Sequence, residues 1–234
     1  MALPQNKSLP RVFIVDDHPL YCRVLAEILR ESGEFDVIGS VNDGAAAIEF
    51  IRGNDVDLLL VDLVLPGVTG IEILATLEDM NKPTKAVVFS GLCSDGSIAT
   101  VFSLKAAAYI DKKTDTAEIL EILRAVVRGE FPLNAHTSRV LRDMVRQNRC
   151  FKPLGSVDIQ VLKGLARHAS IKEIARTIGI SISGAYKARS RIEGRTGANN
   201  WEGFAMAAAS YGMIPSNATS SQLGVTTRGG HTLA

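Results

Sequence analysis

One pattern recurs five times between residues 11 and 129: a short apolar run, then a segment with apolar residues at helical spacing. The runs are RVFIV (11–15), FDVIGSV (35–41), DLLLVD (57–62), KAVVFSG (85–91) and AAYID (107–111). Each is of strand length, and DLLLVD is continuously apolar, as a strand covered on both faces must be. The helical segments are HPLYCRVLAEILRE (18–31), GAAAIEFIRG (44–53), GIEILATLEDM (70–80), SIATVFSLKA (97–106) and TAEILEILRAVVRG (116–129). In the first of them Leu20, Val24, Leu25, Ile28 and Leu29 form the apolar stripe. A helix between successive strands brings the chain back to the same end of the sheet. The expected fold is α/β, a doubly wound five-stranded parallel sheet with helices on both faces.

The pattern stops after Gly129. SRVLRDMVRQ (138–147) reads as a helix in a connecting segment. SVDIQVLKGLARHA, SIKEIARTIG, SISGAYKARSRIEGR and WEGFAMAAASYG are four short helical stretches, punctuated by Gly179 and Gly197. A small all-α domain is expected there. After Ile214, Ser, Thr and Gly dominate, and a disordered tail is expected. The expected boundaries are 10–130 for the α/β domain, 131–151 for a linker with a helix, 152–214 for the helical domain and 215–234 for the tail.

The net charge of +1 conceals a division. Residues 1–130 carry 12 basic and 20 acidic side chains, net −8, while residues 131–234 carry 14 and 5, net +9. A basic compact half is an electrostatic footprint for nucleic acid, although two solvated surfaces of opposite sign would look the same. The opening residues hold no long apolar segment behind a basic head, so no secretory signal is expected. No apolar stretch reaches about 18 residues, so no membrane span is expected. Cys22, Cys93 and Cys150 are scattered, which suits a reducing cytoplasm and neither a disulfide framework nor a zinc site.

In open α/β sheets ligands bind beyond the carboxyl ends of the strands. The first run ends in Asp16 and Asp17, the third in Asp62, the fourth in Ser90 before Gly91, and Lys112 follows the fifth. Singly, such residues are more often helix caps and turn residues. Jointly, three carboxylates at one sheet edge repel one another, and a hard divalent cation with oxygen ligands relieves that repulsion. Mg2+ fits better than zinc, because the histidines at 18, 136, 168 and 231 are dispersed and no Cys/His cluster exists. A hydroxyl and an ammonium beside the metal would bind phosphoryl oxygens. No P-loop or GxGxxG motif marks a nucleotide cradle. These parts describe phosphoryl transfer onto a carboxylate, with Asp62 as nucleophile.

VDD (15–17), VDLVLPGVTG (61–70), FSG (89–91) and AAYIDK (107–112), in this order, resemble the receiver domain of two-component response regulators over about residues 10–130. The resemblance implies a flavodoxin-like sheet with Asp62 as phosphoacceptor. It implies that Asp17 binds Mg2+ directly, Asp16 mostly through water, and the backbone carbonyl of Val64 as a further ligand. Ser90 and Tyr109 would be the hydroxyl and aromatic switch pair, and Lys112 would hold the phosphoryl group. A sensor histidine kinase would be the donor. DDHPLYCRVL (16–25) resembles the NarL/FixJ subfamily.

In the second half, IKEIARTIGISISGAYKARSRI (171–192) has a helix-turn-helix layout. One helix ends at Gly179, and the next begins near Ser181 or Ser183, either of which is a plausible cap. Ala185, Ala188 and Ile192 suit inward packing. Lys187 and Arg191 share an exposed face, with Tyr186 and Ser190 beside them. Such a face can enter the major groove of DNA, and equally it can be a solvated basic surface. Residues 152–212 resemble the LuxR-type DNA-binding domain, with KEIA (172–175) the best-matched piece. That family's usual Thr-Val-Lys is here Gly184-Ala185-Tyr186, and its usual His falls on Ala188. Lys172 and Arg195 could hold phosphates, which position a protein without reading sequence.

The expected protein is a cytoplasmic response regulator. It would be phosphorylated on Asp62 with Mg2+, dimerise on phosphorylation and control transcription through its helix-turn-helix domain. It would be no enzyme beyond its own phosphotransfer and dephosphorylation. The alternative is a receiver whose helical half acts through protein contacts, motivated by Gly184-Ala185-Tyr186. A metal-dependent phosphatase is the third reading, and Leu63-Val64 after Asp62 lacks the paired DxD such enzymes use.

Overall fold

The computed structural model describes residues 8–91, 95–146, 154–211 and 213. The expected tail at 215–234, Gln147 of the connecting helix, and Cys93 and Cys150 lie outside the described residues. The chain divides into two compact units, 1–156 and 157–234.

The first unit alternates β1 (Arg11–Val15), α1 (Pro19–Glu31), β2 (Asp36–Val41), α2 (Gly44–Gly53), β3 (Leu58–Val61), α3 (Gly70–Met80), β4 (Lys85–Ser90), α4 (Asp95–Ser103), β5 (Ala108–Asp111) and α5 (Thr116–Val127). All strand pairs are parallel, in the order β2-β1-β3-β4-β5. This is the doubly wound order in which the sheet grows outward both ways from β1 and β3. Alternate strand residues face opposite sides. Val12, Ile14, Leu58, Leu60, Val87 and Phe89 pack against Leu25 and Leu29 of α1 and Ile119 and Leu123 of α5. Phe13 faces the other side and stacks on Phe50 of α2 at 4.0 Å. Every residue of β3 is buried, which explains its lack of alternation.

Helix α1 turns a different stripe inward from the one its sequence shows. Cys22, Leu25, Ala26 and Leu29 are buried, whereas Leu20 and Val24 are exposed. The buried set has i, i+3, i+4, i+7 spacing, and a thiol and an alanine complete it where a hydropathy reading prefers leucine. Helix α4 ends at Ser103, three residues before the expected end, because Lys105 turns to φ +58° and leads into β5.

Helix α6 (Ala135–Arg146) also lies in the first unit and packs on α4. It starts earlier than its periodicity indicates because Asn134 caps it, accepting from Thr137 N–H at 2.9 Å. Thr137 and Val140 are buried. Asp95 of α4 accepts from Arg139 at 3.0 and 3.2 Å and lies 3.1 Å from His136. Phe131, just before α6, meets Phe102 of α4 at 5.1 Å between centroids.

The second unit begins within the first turn of α7 (Ser156–Leu165) and contains α8 (Ile171–Ile178), α9 (Ile182–Thr196) and α10 (Trp201–Ser210). Ile159, Leu162, Ile174, Ala185, Ile192 and Phe204 are among its buried residues. Helix α8 ends on Gly179 at φ +72°, a left-handed cap that glycine adopts without a Cβ penalty. Ser181 then caps α9, accepting from Gly184 N–H at 3.0 Å. The short turn between two packed helices is the helix-turn-helix layout.

Candidate functional site

Strand order reverses between β1 and β3, so their carboxyl ends flank one crevice. The sheet ladder runs one step past each strand and fixes the carboxylates. Asp16 N–H donates to the Val41 carbonyl at 3.2 Å, and Asp62 N–H to the Val15 carbonyl at 2.9 Å. Gly70 is required by this geometry, because a Cβ there would lie 2.1 Å from the Asp62 carbonyl oxygen. Thr69 and Glu72 form a capping box that starts α3 directly behind the loop.

The carboxylate of Asp62 is 4% exposed. Its Oδ1 accepts from the Ser90 hydroxyl at 2.6 Å and from Val64 N–H at 3.2 Å, and its Oδ2 from Lys112 Nζ at 2.7 Å. The same ammonium lies 2.6 Å from Asp16 Oδ2. Burial works against the charge on Lys112, but its close approach to the Asp16 and Asp62 carboxylates outweighs that and raises its pKa above the ordinary lysine value. Asp16 is buried as well. Its Oδ1 accepts from His18 N–H at 2.9 Å, and its carbonyl accepts from Asn42 Nδ2 at 2.6 Å and from the Cys22 thiol at 3.4 Å. Burial, then the Asp16 charge, push the Cys22 thiol up.

Ligand atoms of Asp16, Asp17, His18 and Asp62 all fall within 4.8 Å of one another. Asp16 Oδ2 and Asp17 Oδ1 are buried and accept no well-aligned hydrogen bond, although Lys112 Nζ and His18 Nδ1 lie 2.6 and 2.8 Å away. Two under-satisfied carboxylate oxygens beside a third carboxylate fit a hard cation such as Mg2+. His18, set aside in the sequence as one of four dispersed histidines, joins this cluster through its position next to Asp17.

The other expected site residues fall around this core. Val64 borders it through the backbone bond to Asp62, with its side chain exposed. Tyr109 pairs with Val88 across the sheet and is buried, on the face opposite α1 and α5. Tyr21 was not singled out in the sequence. Its ring centroid lies 4.5 Å from Lys112 Nζ. The available signal was position, since Tyr21 lies in the first turn of α1, shortly after the Asp16–Asp17 pair.

On α9, Ala185, Ala188 and Ile192 are buried, while Tyr186, Lys187 and Ser190 are exposed. Lys172 is exposed on α8. Arg191 is engaged within the unit. Its guanidinium donates to the buried carboxylate of Asp158 on α7 at 2.5–3.1 Å, and Arg195 lies 3.6 Å from the same carboxylate. Those hydrogen bonds raise the pKa of Arg191 further. Sequence periodicity did not reveal this link, because it joins residues 33 positions apart.

The parallel sheet and its acidic crevice define a receiver. Residues 12–124 match the response regulator receiver domain family, and this part of the chain is a receiver domain. It is 27% identical over 183 residues to the nitrate/nitrite response regulator protein NarL of Escherichia coli (strain K12), covering 76% of this chain and 85% of that one. It is similar to the signal receiver domain of NarL from Mycobacterium tuberculosis, with 29% identity and a TM-score of 0.50, over 52% of this chain and 98% of that one. RcsB from Salmonella enterica serovar Typhimurium, bound to promoter rprA in the presence of BeF3−, shares the fold over 84% of this chain and 96% of that one, with 21% identity and a TM-score of 0.58. The chain is thus similar to NarL-type response regulators in order of parts, a receiver domain followed by a helical unit. Among the described residues, no helix is long and apolar enough to cross a membrane.

Proposed function

We propose that this chain is a phosphorylation-controlled transcription regulator of the cytoplasm, with Asp62 as the phosphoacceptor and a sensor histidine kinase as donor. The observation that carries the reading is the setting of Asp62. One carboxylate oxygen is held by the Ser90 hydroxyl, the other by the Lys112 ammonium, and two further aspartates crowd the same crevice.

Asp17, Asp62, the Val64 carbonyl and, through water, Asp16 would hold Mg2+. When bound, the ion offsets charge that builds up on the transferred group. Asp62 supplies the attacking oxygen. Lys112 and Ser90 already contact that carboxylate and are placed to pass to the phosphoryl oxygens. Ser90 closes β4, and α4 begins five residues further on. A shift of Ser90 with the inward-set Tyr109 therefore acts on α4, and through Asp95 on α6. Phosphorylation favours a homodimer, whose paired helix-turn-helix units would meet paired half-sites. Tyr186, Lys187 and Ser190 present the reading face of α9. Lys172 and Arg195 contact phosphates, and Arg191, committed to Asp158, mainly positions the helix. The chain has no enzymatic output beyond phosphotransfer and hydrolysis at Asp62.

The test is recovery of bound genomic fragments from the source organism, with and without a small phosphodonor and Mg2+. Wild type should enrich specific fragments when the phosphodonor is present, and Asp62→Asn should not respond to it. Equal recovery from both proteins under both conditions would overturn the reading.

A further inference from the structure

We propose that Tyr21 is a positioning residue for phosphoryl transfer, its ring holding the Lys112 ammonium over the Asp16–Asp62 pair. The inference rests on Asp62 being the phosphoacceptor. Lys112 Nζ is bounded on two sides by carboxylates, at 2.6 Å from Asp16 Oδ2 and 2.7 Å from Asp62 Oδ2. The Tyr21 ring forms another side, with Nζ 4.5 Å from its centroid. That distance is within the range where the negative face of an aromatic ring attracts a cation. The ring is itself set edge-on to Phe89 at 6.3 Å and to His18 at 5.9 Å. Phe89 is buried, so it ties the ring to the sheet. Tyr21 is 39% exposed, which makes it a wall of the site rather than a pillar of the core.

Lysine is a point charge on a flexible four-carbon stem, and its placement depends on what surrounds it. In the transfer step an Asp62 carboxylate oxygen forms a bond to phosphorus. The bond from phosphorus to the donor's leaving atom, an imidazole nitrogen in a phosphohistidine or the acyl oxygen in acetyl phosphate, breaks, and that atom departs with the electron pair. With acetyl phosphate, acetate leaves and no proton is needed at Asp62. As the step proceeds, Lys112 must release Asp62 Oδ2 and follow the phosphoryl oxygens. A ring face offers attraction without a hydrogen bond to break, so the ammonium can move across it while water is kept from that side. Truncating the ring leaves the ammonium free to turn toward solvent.

The test measures labelling from acetyl phosphate with Mg2+ in the full-length protein. Tyr21→Leu should lower the maximal labelling rate about fivefold with the KM for acetyl phosphate unchanged, and Tyr21→Phe should restore the rate. In a Lys112→Met background, Tyr21→Leu should have no further effect. Melting temperatures report folding, and Tyr21→Gln repeats the comparison should the leucine variant fold poorly. Wild-type rates in both Tyr21→Leu and Tyr21→Gln would overturn the proposal. So would a Phe variant as slow as the Leu variant, or an undiminished effect without Lys112. Asp62→Asn runs alongside, and label persisting there would instead refute the phosphoacceptor assignment.

Discussion

Removing either partner of the Arg191–Asp158 pair should destabilise the second unit, and by unequal amounts. Asp158 is 4% exposed, while the Arg191 side chain is 48% exposed. Arg191→Ala strands a buried carboxylate whose nearest remaining cation, Arg195, is 3.6 Å away. Breaking a fully buried pair this way costs about 3–5 kcal/mol. Water entering through the half-exposed partner's place reduces that to about 2 kcal/mol. Asp158→Ala frees a guanidinium that water can reach at once, so only the charge-assisted bonds are lost, about 1 kcal/mol. Urea unfolding followed by Trp201 fluorescence reads this unit specifically, because Trp201 is the only tryptophan. Its indole stacks on His168 at 4.1 Å and donates to the Ala166 carbonyl at 3.0 Å. An Asp158→Ala variant that loses as much stability as Arg191→Ala would refute the reasoning.

Gly70→Ala should cost about 1–3 kcal/mol and slow labelling of Asp62, because the added methyl must displace the Asp62 backbone; unchanged thermal stability and labelling would contradict this. Arg124 clasps Glu34 at 2.6 and 2.8 Å and lowers its pKa below the ordinary glutamate value. That stability is present above the unfolded-state pKa and fades as pH falls through the folded one. Glu34→Gln should therefore lower the melting temperature slightly near neutral pH, leave it unchanged below the folded-state pKa, and so flatten the acid limb of the profile. Leu60→Ala, at a fully covered site of β3, should cost about 2–5 kcal/mol in urea unfolding.

The sheet was legible because strand runs such as DLLLVD are both apolar and short, and the helices between them leave parallel pairing as the natural solution. The carboxylates of Asp16, Asp17 and Asp62 were legible as a group because strand ends converge at a predictable edge. What escaped depends on side-chain directions and on distant partners. The inward stripe of α1 includes Cys22 and Ala26, which carry weak hydropathy signals, and so Leu20 was misread as core. Tyr21 gains its meaning from Lys112, 91 positions away in the chain, whose placement requires the whole sheet. The Asp95–Arg139 link joins two exposed charges, a pairing that composition does not distinguish from solvated surface.

Peptide-resolved mass spectrometry after incubation with acetyl phosphate and Mg2+ tests the central claim most directly. The account predicts one phosphoryl group on the peptide carrying Asp62, dependent on Mg2+ and absent from Asp62→Asn. Phosphorylation on a different peptide, or undiminished in Asp62→Asn, would contradict it.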